Sequence, residues 1–284
     1  MGLRILTAAV LIPIVVALVW WGPPWLLATV ATVVAILALL EFFTLGERVG
    51  LRPFRKWTIV CAAGLFYAQY CAGGVEIRAV SFDIALVRRN LGVSLSLEAL
   101  LLIFAFGAVS IGLAMRRPLQ EVLSAIGISS AGLLFIALPF SYLVRIDEID
   151  RFGRELVLFT LALIWAGDML AYFVGRFLGR VPMAPVLSPK KTWEGAFANF
   201  VASVVVGFLF ARWMGTDILT MIVIGAIANI AGQMGDLIES AYKRGAAVKD
   251  SGALVPGHGG VLDRVDSLIL AAPMVWATYE WLGH

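Results

Sequence analysis

Between Gly235 and Ser267 the chain places ten ionisable residues: Asp236, Glu239, Lys243, Arg244, Lys249, Asp250, His258, Asp263, Arg264 and Asp266. Apolar runs of membrane-spanning length flank this stretch on both sides. Charge near a bilayer is costly, so a dense mixed cluster there needs a reason, either a functional site or a solvated loop between two helices. Asp236, Glu239, Ser240 and Lys243 follow i, i+3, i+4, i+7 spacing and share one helical face. Gly252, Pro256, Gly257, Gly259 and Gly260 then make a loop that cannot stay helical and can bring backbone amides close to an anion. Asp263 and Asp266 stand i, i+3 where the next apolar run begins. Carboxylates from two helix ends, joined by a glycine-rich loop with lysines, suit Mg²⁺ held against phosphate. Hard oxygen ligands, with one histidine and no nearby cysteine, argue against zinc. His258 is a catalytic candidate, or a loop residue. The glycine loop is no Walker A motif, because no Gly-Lys-Ser/Thr follows.

Two more polar blocks precede it. In Trp165–Arg180, Asp168 falls within an apolar run. An unpaired carboxylate there would cost about 3 kcal/mol, so Asp168 is expected to face a polar cavity or a cation. In Ser188–Gly195, Pro189 breaks helix and Lys190-Lys191 precede the next run. These lysines either neutralise phosphate oxygens or anchor the segment at the membrane face.

The elements that must position these residues are helices. The chain is 61% hydrophobic and 14% charged, against about 25% charged in soluble domains. It reads as an all-α, polytopic helical membrane protein with about nine spans, near 4–21, 25–43, 57–74, 94–115, 121–144, 156–177, 195–214, 217–238 and 265–282. Three membrane domains are expected: 1–92 with three spans, 93–150 with two, and a catalytic 151–284 with four. Val75–Gly92 permits a short interfacial helix. Cys61 and Cys71 read as core packing residues. Fourteen of the 22 Lys and Arg fall in the even-numbered loops, which the positive-inside rule places in the cytoplasm. No basic tract interleaves with aromatics, so nucleic acid is not expected as a partner. Glu41, near the end of the second span, reads either as an interfacial carboxylate or as facing an internal polar site.

Ser240–Ser267, SAYKRGAAVKDSGALVPGHGGVLDRVDS, resembles the signature of the phosphatidate cytidylyltransferase family: Ser-x-x-Lys-Arg, Lys-Asp, Pro-x-His-Gly-Gly and Asp-Arg-x-Asp. AYFVGRFLGR and SPKKTWEG are similar to two further blocks of that family, and the resemblance covers about residues 160–284. It implies transfer of a cytidylyl group from CTP to phosphatidic acid, giving CDP-diacylglycerol and pyrophosphate. By the same similarity, Asp236 and Asp263 are metal ligands, with Asp266 adjacent and Asp168 contributing. Asp236, Asp263, Lys243 and His258 form the catalytic set. Lys190, Lys191, Lys243, Arg244 and Lys249, with Ser240, are expected to bind phosphates. Mg²⁺ and a second cation, the bilayer, a homodimer, and a multi-pass place in the cell inner membrane with a cytoplasmic active site complete the expectation. The rivals are a cation-coupled transporter using Asp168, Asp236 and Asp263, a CTP-using enzyme acting on an isoprenoid phosphate, and a structural membrane subunit.

Overall fold

A computed structural model describes residues 2–72, 96–115, 118–254 and 259–282. Val75–Gly92 and His258 lie outside the described residues. Ten α-helices account for nearly all of the fold: α1 Gly2–Trp21, α2 Pro24–Arg48, α3 Arg55–Ala72, α4 Leu97–Ala114, α5 Leu119–Gly132, α6 Leu138–Asp147, α7 Gly153–Phe177, α8 Trp193–Met214, α9 Ile218–Gly245 and α10 Leu262–Leu282. Helices α5 and α6 run on through a π-helical turn, Leu133–Ala137, so the described chain forms nine helical rods. Six are long and apolar enough to cross a membrane, counting the continuous α5–α6 rod as one. The protein is an all-α, polytopic membrane protein, and nine is an approximate span count.

Local sequence explains the helix ends. Pro24 opens α2, where a missing N–H costs nothing. The Asp217 side chain caps α9 by accepting the Thr220 N–H at 2.7 Å, and that bond holds its carboxyl below the ordinary range. Thr192 accepts from Gly195 N at the start of α8, and Gly215, at φ 68°, closes that helix in the left-handed conformation. Pro139 has no N–H to give to the fourth residue before it, and the ladder there widens into the π turn.

Helices α7 to α10 pack in sequence, each on the next, and α10 also lies against α6, α7 and α2. In α2 the buried stripe Ala31, Ala35 and Ala38 has i, i+4, i+7 spacing, which turns small side chains toward the bundle. Arg154 of α7 donates to the carbonyls of Trp20 (2.8 Å) and Gly22 (3.2 Å), tying the α1–α2 turn to the same group. Phe42 of α2 meets Tyr242 of α9 edge to face at 5.2 Å between ring centres. Helix α9 has 28 residues, a length of about 42 Å against roughly 30 Å of bilayer hydrocarbon. Asp236 to Lys243 occupy its last turns.

One departure from an all-helical reading is a small antiparallel hairpin, β1 Pro182–Ala184 with β2 Ser188–Thr192. It lies between α7 and α8 and carries Lys190 and Lys191. Where α8 crosses α9, a Cβ on Gly207 would stand 2.9 Å from both Ile222 Cα and the Met221 carbonyl oxygen. These are backbone atoms that cannot step aside. Gly207→Val is expected to destabilise the fold by about 1–3 kcal/mol, read as a lower melting temperature of the detergent-solubilised protein.

Candidate active site

The closest approach of α9 and α10 is made at Gly235. A Cβ there would lie 2.5 Å from the backbone oxygen of Asp266. The missing side chain lets the two helices touch just where both carry acids. One carboxylate oxygen each from Asp236, Glu239 and Asp266 lies within 4.8 Å of the others. Asp236 and Glu239 are one helical turn apart on α9, and Asp266 faces them from the first turns of α10. Glu239 is buried and has no hydrogen-bond donor besides its ion pair with Lys243.

Two lysines balance this group. Lys191 of β2 pairs with Asp236. Lys243, one turn beyond Glu239, pairs with Glu239 and also donates to Asp263 Oδ1 at 2.6 Å. The other oxygen of Asp263 accepts from Ser251 N (3.0 Å) and Gly260 N (2.8 Å), with Ser251 Oγ 3.0 Å away. Asp263 is thus engaged on both oxygens and sits one lysine away from the acidic cluster. Gly259, at φ 85°, supplies the left-handed step beside it.

A cavity of about 260 Å³ opens between α7, α8, α9 and the hairpin, lined among others by Asp168, Tyr172, Lys190, Lys191, Asn199, Gln233, Asp236 and Ser267. It is polar on its α9 side and beneath the hairpin. Asn199, Asn229 and Gln233 form a ladder across α8 and α9, with Asn229 Nδ2 donating to Asn199 Oδ1 and Gln233 Nε2 to Asn229 Oδ1 at 2.7 Å. A second, narrower cavity lies on the other side of the acids. Its walls are Phe135, Ile136, Ile238, Tyr242, Leu262, Ile269 and Leu270, with Glu239 and Asp266 at one edge. The acidic cluster therefore stands between a polar space and an apolar one, and the π turn supplies two of the apolar walls.

Of the expected residues, the structure brings Asp168, Lys190, Lys191 and Asp236 to the polar cavity, and Asp236 and Asp266 to the cluster. Lys243 and Asp263 adjoin it. Arg244 is directed elsewhere: its Nε donates to the Leu187 carbonyl (3.1 Å) and another guanidinium N–H to the Val248 carbonyl (3.0 Å), fastening the hairpin to the turn after α9. Lys249 is exposed on that turn, and Ser240 is buried on α9 and lines neither cavity. Glu239, Asn199 and Gln233 are the additions, and Glu41, read as interfacial or as facing an internal polar site, is buried against Ser251, Val261 and Leu262. Asn229, Gln233 and Asp236 follow i, i+4, i+7, and Glu239 stands three beyond Asp236, so one continuous polar face of α9 was visible in the spacing.

Clustered carboxylates, lysines and glycines on apolar helices are the residue types that phosphate chemistry at a bilayer would use. The sequence matches the cytidylyltransferase family over residues 2–282, and the chain belongs to that family. It is 35% identical over 153 residues to the phosphatidate cytidylyltransferase of Bacillus subtilis, covering 53% of this chain and 57% of that protein. The phosphatidate cytidylyltransferase of Brucella suis biovar 1 is 44% identical over 158 residues, 54% of this chain and 55% of its own. The Haemophilus influenzae protein of the same name is 43% identical over 127 residues, 43% of this chain and 44% of its own. The matched stretches cover about half the length of these relatives.

Lys243 is half shared by two carboxylates and is itself mostly buried. Its replacement in Lys243→Met leaves Glu239 and Asp263 without their cation. That is expected to cost about 3–5 kcal/mol of stability, and Glu239→Gln added to it should recover part of the loss in a double-mutant melting series.

Proposed function

We propose that this protein transfers the cytidylyl group of CTP to phosphatidic acid, releasing pyrophosphate and forming CDP-diacylglycerol for phospholipid synthesis. The observation that carries this reading is the cluster of three carboxylates beside a cavity that Asp168, Lys190 and Lys191 also line. The relatives' shared name, phosphatidate cytidylyltransferase, supports the same reaction. In that reaction the lipid phosphate oxygen attacks the α-phosphorus of CTP. The new bond joins lipid phosphate to cytidylyl, the α–β bridging bond breaks, and its electron pair leaves with pyrophosphate. The nucleophile is the substrate's own phosphate, so no Ser, Cys or His of the chain has to form a covalent intermediate.

The three carboxylates fit a hard divalent cation: all donors are oxygens, from three residues, on two rigid helices. Asp236, Glu239 and Asp266 would hold Mg²⁺, with Asp168 across the polar cavity available to a second cation. Mg²⁺ bound there would neutralise phosphate oxygens and align them. Lys190 and Lys191 reach over the same space from the hairpin and would hold the triphosphate by charge. Lys243 and Asp263 act as a pair that fixes the glycine-rich loop over the acids. Catalysis by this site is positioning plus charge neutralisation.

The bacterial relatives and the basic residues of the even-numbered loops favour the inner membrane, with the site facing the cytoplasm. That side supplies CTP, and its lipid leaflet supplies phosphatidate.

Purified protein in detergent, given α-labelled CTP, Mg²⁺ and phosphatidic acid, is expected to move label into CDP-diacylglycerol. Asp266→Asn is expected to lose about 100-fold or more of turnover. Chelation should stop the reaction and added Mg²⁺ restore it. Label entering an isoprenoid phosphate but not phosphatidate would reassign the acceptor, and no CTP-dependent label in any lipid would overturn the reading.

A further inference from the structure

Glu41 sits near the end of α2 and is 6% exposed, yet it belongs to the loop more than 200 residues away. Its Oε2 accepts from Ser251 Oγ at 2.8 Å and from Leu262 N at 2.9 Å, and its Oε1 accepts from Val261 N at 2.9 Å. The amides of Val261 and Leu262 open α10 and have no partner within that helix. A negative charge at this end is also favoured by the helix dipole. Helix α10 is therefore capped by a carboxylate brought from another helix.

The loop is shaped around that carboxylate. A Cβ on Gly252 would stand 2.4 Å from Glu41 Oε1, and one on Gly260 would stand 2.3 Å from Oε2. Neither residue has a positive φ; at Gly252 the obstacle is Glu41, and at Gly260 it is Glu41 together with Ser251 Oγ and the Gly252 backbone nitrogen. Asp263 grips the same segments from the other side, through Ser251 and Gly260. Glu41 lines neither cavity and touches none of the three clustered carboxylates.

We infer that Glu41 is a positioning residue: by capping α10 it sets the place of the first turn, and so the place of Asp266 against Asp236 and Glu239. This deepens the reaction proposed above and rests on the acidic cluster being its centre. A displacement of about 1 Å at such a site can cost 100-fold in rate without much change in binding.

The test uses the full chain in detergent and the variant Glu41→Gln, which keeps the side chain's size but turns an NH₂ toward amide donors. Hydrogen exchange, followed without metal or substrate, is expected to speed up at Val261 and Leu262 by about tenfold or more, with α7 and α8 unchanged. Turnover is expected to fall at least about 30-fold while the KM for CTP stays within about threefold. Gly252→Ala keeps the carboxylate but displaces it, and should reproduce both effects; it also carries the test if Glu41→Gln fails to fold. Exchange at Val261 and Leu262 unchanged, or raised equally through every helix, overturns the inference, as does wild-type turnover in both variants. Wild-type protein without CTP turnover would instead sink the proposed reaction, while the exchange data would still decide whether Glu41 caps α10.

Discussion

The contact between α9 and α10 at Gly235 governs the rest of this structure. It forces three carboxylates into one space. Two like charges within 4.8 Å of each other repel by roughly 3 kcal/mol or more at an effective dielectric near 20. A fold would keep such an arrangement only with compensation. Lys191 and Lys243 supply part of it, and both are shared with the site's own geometry: one comes from the hairpin, the other is held by Asp263. The remaining demand for positive charge is what makes the cluster a candidate cation site.

The fold serves this contact from both ends of the chain. Helices α7 to α10 form the walls of the polar cavity, and α2 reaches in to cap α10 through Glu41. The π turn between α5 and α6 lends Phe135 and Ile136 to the apolar side of the acids. A site whose charged residues lie almost wholly in the last third of the sequence is thus held by helices from the first half.

Much of this was legible in the residues. Apolar run length marked the helices, and the i, i+3, i+7 spacing of Asp236, Glu239 and Lys243 marked the charged face of α9. The hairpin was not legible. Its strands are three and five residues long, Pro-Met-Ala and Ser-Pro-Lys-Lys-Thr, too short to show an alternating pattern, and neighbouring α7 and α8 hold them in place. Nor could spacing tell Asp263 from Glu239. Both lie a short way from Asp236 or Asp266 in sequence, and only the packing shows that Asp263 is taken up by Lys243 and the loop while Glu239 faces the other acids. Glu41 stood alone in an apolar run, and an isolated carboxylate near a membrane face gives no hint of a partner more than 200 positions away.

The central claim is that Asp236, Glu239 and Asp266 form one cation site. Its most direct test is a titration of the substrate-free protein with Mn²⁺, a paramagnetic stand-in for Mg²⁺, followed by electron paramagnetic resonance. Glu239→Gln is expected to weaken binding by about tenfold or more, a loss of about 1.4 kcal/mol or greater, while Asp263→Asn retains a Mn²⁺ site. Unchanged binding in Glu239→Gln, with binding lost in Asp263→Asn, would contradict the claim and move the cation to Asp263.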